Sequence, residues 1–229
     1  MLDPNLHLRS ATLSDVSRIT SLVVPRVSHD GFHDYFFPHQ DRYPHDFARW
    51  WRRYYRDLIL RPYWNTLLVE DSKGGIQGLA VWGYAPKIMG LGDAEDVPEP
   101  RGVNIAKDSC VYSWIDKVQD IFHPNRCTDP TALLEWRKTV SDMNKRLWSG
   151  KDRIHWYCPE FFTFEEEQEK NPLASVLLGW GPEQSKVDDV STFVLTLTSL
   201  GELYEGLGYT VVDEVECGPS RCIAMKCEE

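Results

Sequence analysis

The stretch Phe161–Gly181, FFTFEEEQEKNPLASVLLGWG, decides how the chain is read. An apolar run, Phe161 to Phe164, gives way to four acids among five residues, Glu165, Glu166, Glu167 and Glu169. A Lys170–Asn171–Pro172 step follows, and then a second apolar run. The layout is strand, loop, helix: Asn171 suits an N-cap, and Pro172 suits the first helical position, where its missing N–H is not needed. A junction of this kind aims backbone amides and the positive end of a helix at one point, a natural place for a phosphate. The acids oppose that use. Two like charges a few ångströms apart cost ~1 kcal/mol in water and ~4 kcal/mol at an effective dielectric near 20. They either point away from the helix mouth or satisfy it themselves. Pro182, just past Gly181, predicts a short or kinked helix. Pro159, just before Glu160, predicts a strand that starts late or carries a bulge.

Upstream, LHLRSATLSD reads as a strand from Leu6 to Arg9 and a helix entered at Thr12 or Ser14 that runs to about Val24. The aromatic, His-rich segment from Ser28 to Asp46 is expected to be a loop. FARWWRRYYRDLIL is a helix that stops before Pro62. WNTLLVED and IQGLAVWGYA flank Ser72–Lys73–Gly74–Gly75 as a hairpin. Residues 86–152 interrupt the alternation. Their first part reads as a loop, and their last as a helix capped by Asp129, opened by Pro130 and striped by Leu133, Trp136, Val140, Met143 and Leu147. Downstream come a strand, VSTFVLTLT, a short helix ended by Gly208, and a closing hairpin of YTVVDEVE and RCIAMKC. The expectation is one domain over residues 1–229, with 86–152 as an insertion packed on it. Its class is α/β (α+β), a mixed sheet with helices on both faces.

The chain has 229 residues, 42% hydrophobic and 26% charged, enough for a sizeable core. Its net charge of −10 argues against sequence-independent nucleic-acid binding and against adsorption to anionic membranes. MLDPNLHLRS shows no basic segment followed by an apolar one, so a cytoplasmic protein with reduced thiols is expected. The six cysteines form no C-x-x-C pair. His29 and His33 in HDGFHD have the spacing of two imidazoles on one helix face, but Gly31 weakens a helix there, and no metal is expected.

Three segments together resemble the GCN5-related N-acetyltransferase (GNAT) superfamily. LRSATLSD is similar to its first strand and helix cap, and LYEGLGYTVVDEV to its Leu-Tyr-x-x-x-Gly-Phe close. FFTFEEEQEKNPLASVLLGWG lies between them at the distance of the acyl-CoA strand, pyrophosphate loop and following helix. GFHDYFFP and IQGLAVWGYA resemble small-molecule GNATs of filamentous fungi. The resemblance implies a central mixed, mostly antiparallel sheet, with the helical insertion between strands 3 and 4. It also implies acetyl-CoA as co-substrate and N-acyl transfer to a small amine-bearing molecule. The loop departs from the family pattern: Glu169 takes the Gln/Arg place, Pro172 the first Gly, and only Ala174 fits.

Carried onto this chain, the resemblance places the cofactor at Phe162, Thr163 and Phe164 on the strand, and at Lys170, Asn171, Leu173, Ala174 and Ser175 beyond it. Tyr204 is the match to the residue that protonates the leaving thiolate. Glu160 and Glu165 are the general-base candidates, because a bound amine must lose a proton before it attacks. Phe32, Tyr35, Phe36 and Trp82 are candidate substrate walls. Two alternatives stand beside this reading. One is an enzyme of the same fold that has lost CoA and converts a small hydrophobic metabolite by acid/base chemistry. The other is a non-catalytic ligand-binding protein.

Overall fold

The computed structural model describes residues 5–85, 100–101, 124–164 and 172–228. Its first half comprises β1 (Leu6–Ser10), α1 (Val16–Val27), α2 (Gly31–Phe36), α3 (Pro44–Leu60), β2 (Trp64–Asp71) and β3 (Ile76–Ala85). The second comprises α4 (Pro130–Leu147), β4 (His155–Thr163), α5 (Pro172–Asp188), β5 (Ser191–Leu197), α6 (Gly201–Glu205), β6 (Thr210–Cys217) and β7 (Ser220–Cys227). The strands form one sheet in the order β1-β2-β3-β4-β5-β7-β6. Each neighbouring pair is antiparallel except β4 and β5, which run parallel.

One core lies between the sheet and α1 to α4, with Ile19, Trp51, Tyr55, Leu68 and Met143 at its heart. A second lies between the opposite face and α5 and α6, built from Trp82, Trp156, Leu177, Val194 and Tyr204. The first turn of the chain is tied to the sheet by Arg9. Its guanidinium reaches Asp15 at 2.8 Å and Glu70 at 2.7 Å, so β1, the entry to α1 and β2 share one cation. The β2–β3 turn closes on Asp71, whose carboxylate accepts the N–H groups of Lys73 and Gly75 at 2.8 Å each. No described helix is long and apolar enough to cross a membrane.

The expected cap of α4 is present: Asp129 accepts the amides of Thr131 (2.8 Å) and Ala132 (3.2 Å). The helix is anchored at its entrance as well. The Asp129 amide donates to the Phe36 carbonyl at 2.8 Å, and Arg126 Nε reaches buried Asp46 on α3 at 2.8 Å.

Two local expectations are corrected. Gly31–Phe36 is a helix, not a loop, because Asp30 caps it through the Phe32 amide (2.9 Å) and Gly31 falls at its first residue, where glycine costs little. α5 does not stop at Pro182 but continues to Asp188. Losing a hydrogen bond to proline there costs ~3 kcal/mol, and tertiary packing offsets it. Trp180 meets Trp82 and Trp156 at ring separations of 5.9 and 5.1 Å, and Trp82 Nε1 donates to the Leu177 carbonyl at 3.1 Å. The bulge expected near Pro159 is present, opposite Trp82.

Gly181 carries the closest approach in this packing, since a Cβ there would sit 2.1 Å from the Trp82 ring. Alanine in a helix interior normally gains about 1 kcal/mol over glycine, whereas overpacking costs about 1–3 kcal/mol. With Trp82 pinned by its N–H, the clash should win. Gly181→Ala is expected to lower the urea midpoint without changing its slope; an unchanged midpoint would mean that Trp82 moves freely.

Candidate active site

β4 and β5 are paired only from His155↔Ser191 to Cys158↔Val194, although β4 runs on to Thr163 and β5 to Leu197. The separation begins at Pro159, which has no N–H to offer a neighbouring strand. At the same point β4 gains a residue against β3: Val81 pairs with Glu160 and Gly83 with Tyr157, so Trp82 alone faces Cys158 and Pro159. An extra residue reverses the alternation of side chains. Trp156 and Cys158 face the α5 core, whereas Glu160, Phe162 and Phe164 face α1 to α4.

That reversal places Glu160 beneath α3. Its carboxylate accepts the Tyr55 hydroxyl at 2.8 Å and is also bonded by Tyr54. Burial pushes its pKa up to about 7, against the opposing pull of the two hydroxyls and of His33. Burial likewise drives Tyr54, Tyr55, Tyr157 and the Cys158 thiol upward, so these groups keep their protons at neutral pH. The pair Tyr54–Tyr55 is held in turn by Trp50, stacked on Tyr54 at 5.2 Å, and by Trp51, stacked on Tyr55 at 5.9 Å.

Tyr204 comes to the split from the other side. α6 follows β5 directly and turns the phenol into the second core, where it bonds the Thr196 side chain and sits near Cys158 and Tyr157. Tyr209 meets it edge-on at 5.6 Å, and burial raises its pKa well above the usual phenol value. The split therefore carries a carboxylate able to titrate near neutrality on one side and a protonated phenol on the other.

The end of β4 supplies the main-chain donors. The Phe164 amide is spent on the Gln77 carbonyl at 2.8 Å, and antiparallel alternation then directs the N–H groups of Phe161 and Thr163 toward β5. Of Phe162, Thr163 and Phe164, Thr163 is thus the one whose amide faces the split. Its buried Oγ1 has no hydrogen-bond partner among the described residues. The carbonyls of Thr163 and Phe164 both accept from Arg26, at the end of α1. Leu173 and Ala174 are buried in the α5 core, and Ser175 is exposed. Glu165, Lys170 and Asn171 lie outside the described residues.

The substrate candidates divide. Phe32, Tyr35 and Phe36 form an edge-to-face cluster on α2, joined to α4 through Trp136 at 5.8 Å from Phe32 and through the Tyr35 hydroxyl on Glu135 at 2.9 Å. The β6–β7 turn closes beneath them: Gly218 has φ +54°, and a Cβ there would lie 2.8 Å from the Tyr35 ring. Trp82 is instead fully buried on the opposite face. His29 and His33 approach different carboxylates, Asp41 at 3.5 Å and Asp30 at 3.0 Å. Tyr54, Tyr55 and Thr196 were not among the residues singled out in the sequence, where nothing separates them from ordinary core tyrosines and a strand threonine. A cleft of about 400 Å³ between Trp148, Phe193, Lys226 and Glu228 includes neither Glu160 nor Tyr204.

No protein-family model and no curated protein sequence matches the chain. Solved structures do. A Corynebacterium glutamicum structure described as histone acetyltransferase HPA2 and related acetyltransferase aligns with a TM-score of 0.56 at 16% identity, covering 97% of this chain and 95% of that one. The polyamine N-acetyltransferase of Drosophila melanogaster aligns at 0.53 and 10% identity, over 96% and 98% of the two chains. An uncharacterized Bacillus halodurans protein gives 0.53 at 11%, over 97% and 83%. The chain has the GNAT fold.

Within that fold, the acyl end of acetyl-CoA fits the residues present. An inward amide at Thr163, an orphaned buried hydroxyl beside it and a phenol across the split are the donors that a thioester and a pantetheine amide require. The Glu160 carboxyl offers an independent check on the geometry. A carboxyl raised in the native state stabilises the fold below its unfolded pKa near 4.5, and that contribution is lost as pH rises through about 7. Relative to Glu160→Gln, the wild type is expected to lose on the order of 1–2 kcal/mol across that window, after discounting for partial solvent access. Parallel pH–stability curves for the two proteins would place the carboxylate in water.

Proposed function

We propose that the protein is an acyl-CoA-dependent N-acyltransferase, most simply an acetyltransferase, acting on a small amine-bearing molecule. The observation that carries this reading is the pairing of Glu160 and Tyr204 about one strand split, with the Thr163 amide between the parted strands. Acetyl-CoA supplies an activated acyl group as a thioester. Glu160 takes a proton from the bound ammonium, leaving a lone pair to attack the carbonyl carbon. The Thr163 amide donates to the carbonyl oxygen as negative charge gathers there. Tyr204 gives its proton to the departing thiolate as the C–S bond breaks, and Thr196 holds the phenol in place for that transfer.

The acceptor is read from the walls. Phe32 and Tyr35, half-buried over the core residue Phe36, offer aromatic surface on the side of the sheet that Glu160 faces, and the chain is acidic overall. Both favour an amine with an apolar or aromatic body over an anionic acceptor. The polyamine N-acetyltransferase among the similar structures is consistent with a cationic small molecule. The acidic run Glu165–Glu169 favours a second reading, in which the same carboxylate serves acid/base chemistry on a small hydrophobic metabolite without CoA.

Titration calorimetry with acetyl-CoA separates the two: saturable heat is expected, and its absence at millimolar ligand with the protein folded removes the transferase reading. In steady-state assays with acetyl-CoA and a panel of primary amines, Glu160→Gln is expected to lower kcat by about 10²–10⁴-fold. Tyr204→Phe is expected to lower kcat by about tenfold or more at little cost in stability. Wild-type kcat/KM should rise with pH through about 7 as Glu160 ionises, and that inflection should vanish in the Gln variant.

A further inference from the structure

The cleft of about 400 Å³ near the start of β4 lies apart from Glu160 and Tyr204, and its volume is within the range of small-molecule sites. Leu147, Trp148, Phe193 and Val212 form its apolar side, and Asp152, Lys226 and Glu228 its charged side. Val212, 41% exposed, is among the few large apolar side chains left uncovered on the described surface. Trp148 packs on Phe193 at a ring separation of 3.7 Å, and its indole N–H donates to Asn144 at 2.8 Å, so this wall is fixed.

Lys226 is the unusual member. Its side chain is only 9% exposed, yet it lines a cavity, and lysine is almost never buried unless it is paired. The ammonium lies 5.5 Å from the centre of the Phe193 ring and is held by the Asp152 carboxylate at 2.7 Å. Asp152 is fixed in turn: its carboxylate accepts the Ser191 hydroxyl at 3.3 Å, and its carbonyl meets Nδ1 of fully buried His155 at 2.8 Å. A second carboxylate, that of Glu228 just past β7, also reaches the ammonium, from a side chain 54% exposed. The two carboxylates differ in kind. Asp152 is part of the wall, whereas Glu228 is more than half in water, and an ion pair with an exposed partner holds weakly. The place that Glu228 fills on Lys226 is therefore a carboxylate seat, open to exchange with a carboxylate from solution.

We infer that the cleft is a second ligand site, which takes a small monocarboxylate with an aromatic or branched apolar body. The ligand carboxylate replaces that of Glu228 on Lys226 Nζ, and the body lies against Trp148, Leu147 and Val212. The exchange leaves the local charge unchanged, since one anion leaves the ammonium as another arrives. An amine is disfavoured there, because the charge it would meet in the wall is the Lys226 ammonium, with Asp152 already engaged by it. No acyl-CoA takes part, so the site stands or falls independently of the acyltransferase reading.

An NMR titration of the full chain tests this at the Trp148 indole N–H, assigned by its loss in Trp148→Phe. Phenylpropionate is the probe, and phenethylamine offers a similar body with the opposite charge. Phenylpropionate should shift the Trp148 signal saturably, and phenethylamine should leave it in place. Glu228→Gln removes the competing charge and should tighten phenylpropionate by about two- to fivefold. Lys226→Met should weaken it by about tenfold or more. Absence of a saturable shift at tens of millimolar phenylpropionate overturns the inference, as does an equal response to phenethylamine. Affinity that is unchanged or weaker in Glu228→Gln, or unchanged in Lys226→Met, overturns it too. If Lys226→Met does not fold, the exposed Glu228→Gln change decides alone.

Discussion

The missing N–H of Pro159 sets the arrangement of the sheet around Glu160. A residue without that donor cannot continue a ladder, so β5 leaves β4 after Cys158, and β4 takes up an extra residue against Trp82. Each consequence needs the other. Without the separation, the amides of Phe161 and Thr163 would be spent on β5. Without the extra residue, Glu160 would fall on the face of Cys158, in the apolar core beneath α5, far from the tyrosines that hold it.

The surroundings of the split show how much scaffold a half-buried carboxylate requires. Two phenols donate to Glu160, their rings rest on Trp50 and Trp51, and those indoles pack with Phe37 and Phe47 in the helical layer. Desolvation raises the carboxyl's pKa and hydrogen bonding lowers it, and the balance settles near neutrality, which is where a base acting at physiological pH is most effective. Tyr204 obeys the same rule with the opposite outcome: burial favours the neutral phenol, so it keeps its proton at neutral pH.

α4 joins this scaffold instead of standing apart from it. α4 meets α2 through Trp136 and Glu135, and the Arg126–Asp46 pair fastens its approach to α3. The aromatic residues of α2 are therefore placed by contacts made some hundred residues later in the chain.

Local signals in the sequence determined much of the architecture. Asp129–Pro130 marked the start of α4, the Ser72–Gly75 turn marked a hairpin, and Pro159 marked a bulge, because caps, turns and proline act over a few residues and are legible in any context. The resemblance of LYEGLGY, LRSATLSD and the Phe161–Gly181 stretch to one family pointed to the sheet that is found and set Tyr204 beside it. Tertiary structure alone decided the rest. α5 passes through Pro182 because three tryptophans pack around it, and α2 is helical because Asp30 caps it and α4 covers it. The direction of Glu160 depends on a one-residue shift in register against a strand some eighty positions earlier. Its raised pKa depends on burial beneath α3, a helix about a hundred positions away, which outweighs the lowering by the Tyr54 and Tyr55 hydroxyls. Burial and pairing across such separations are properties of the folded chain, and no local pattern records them.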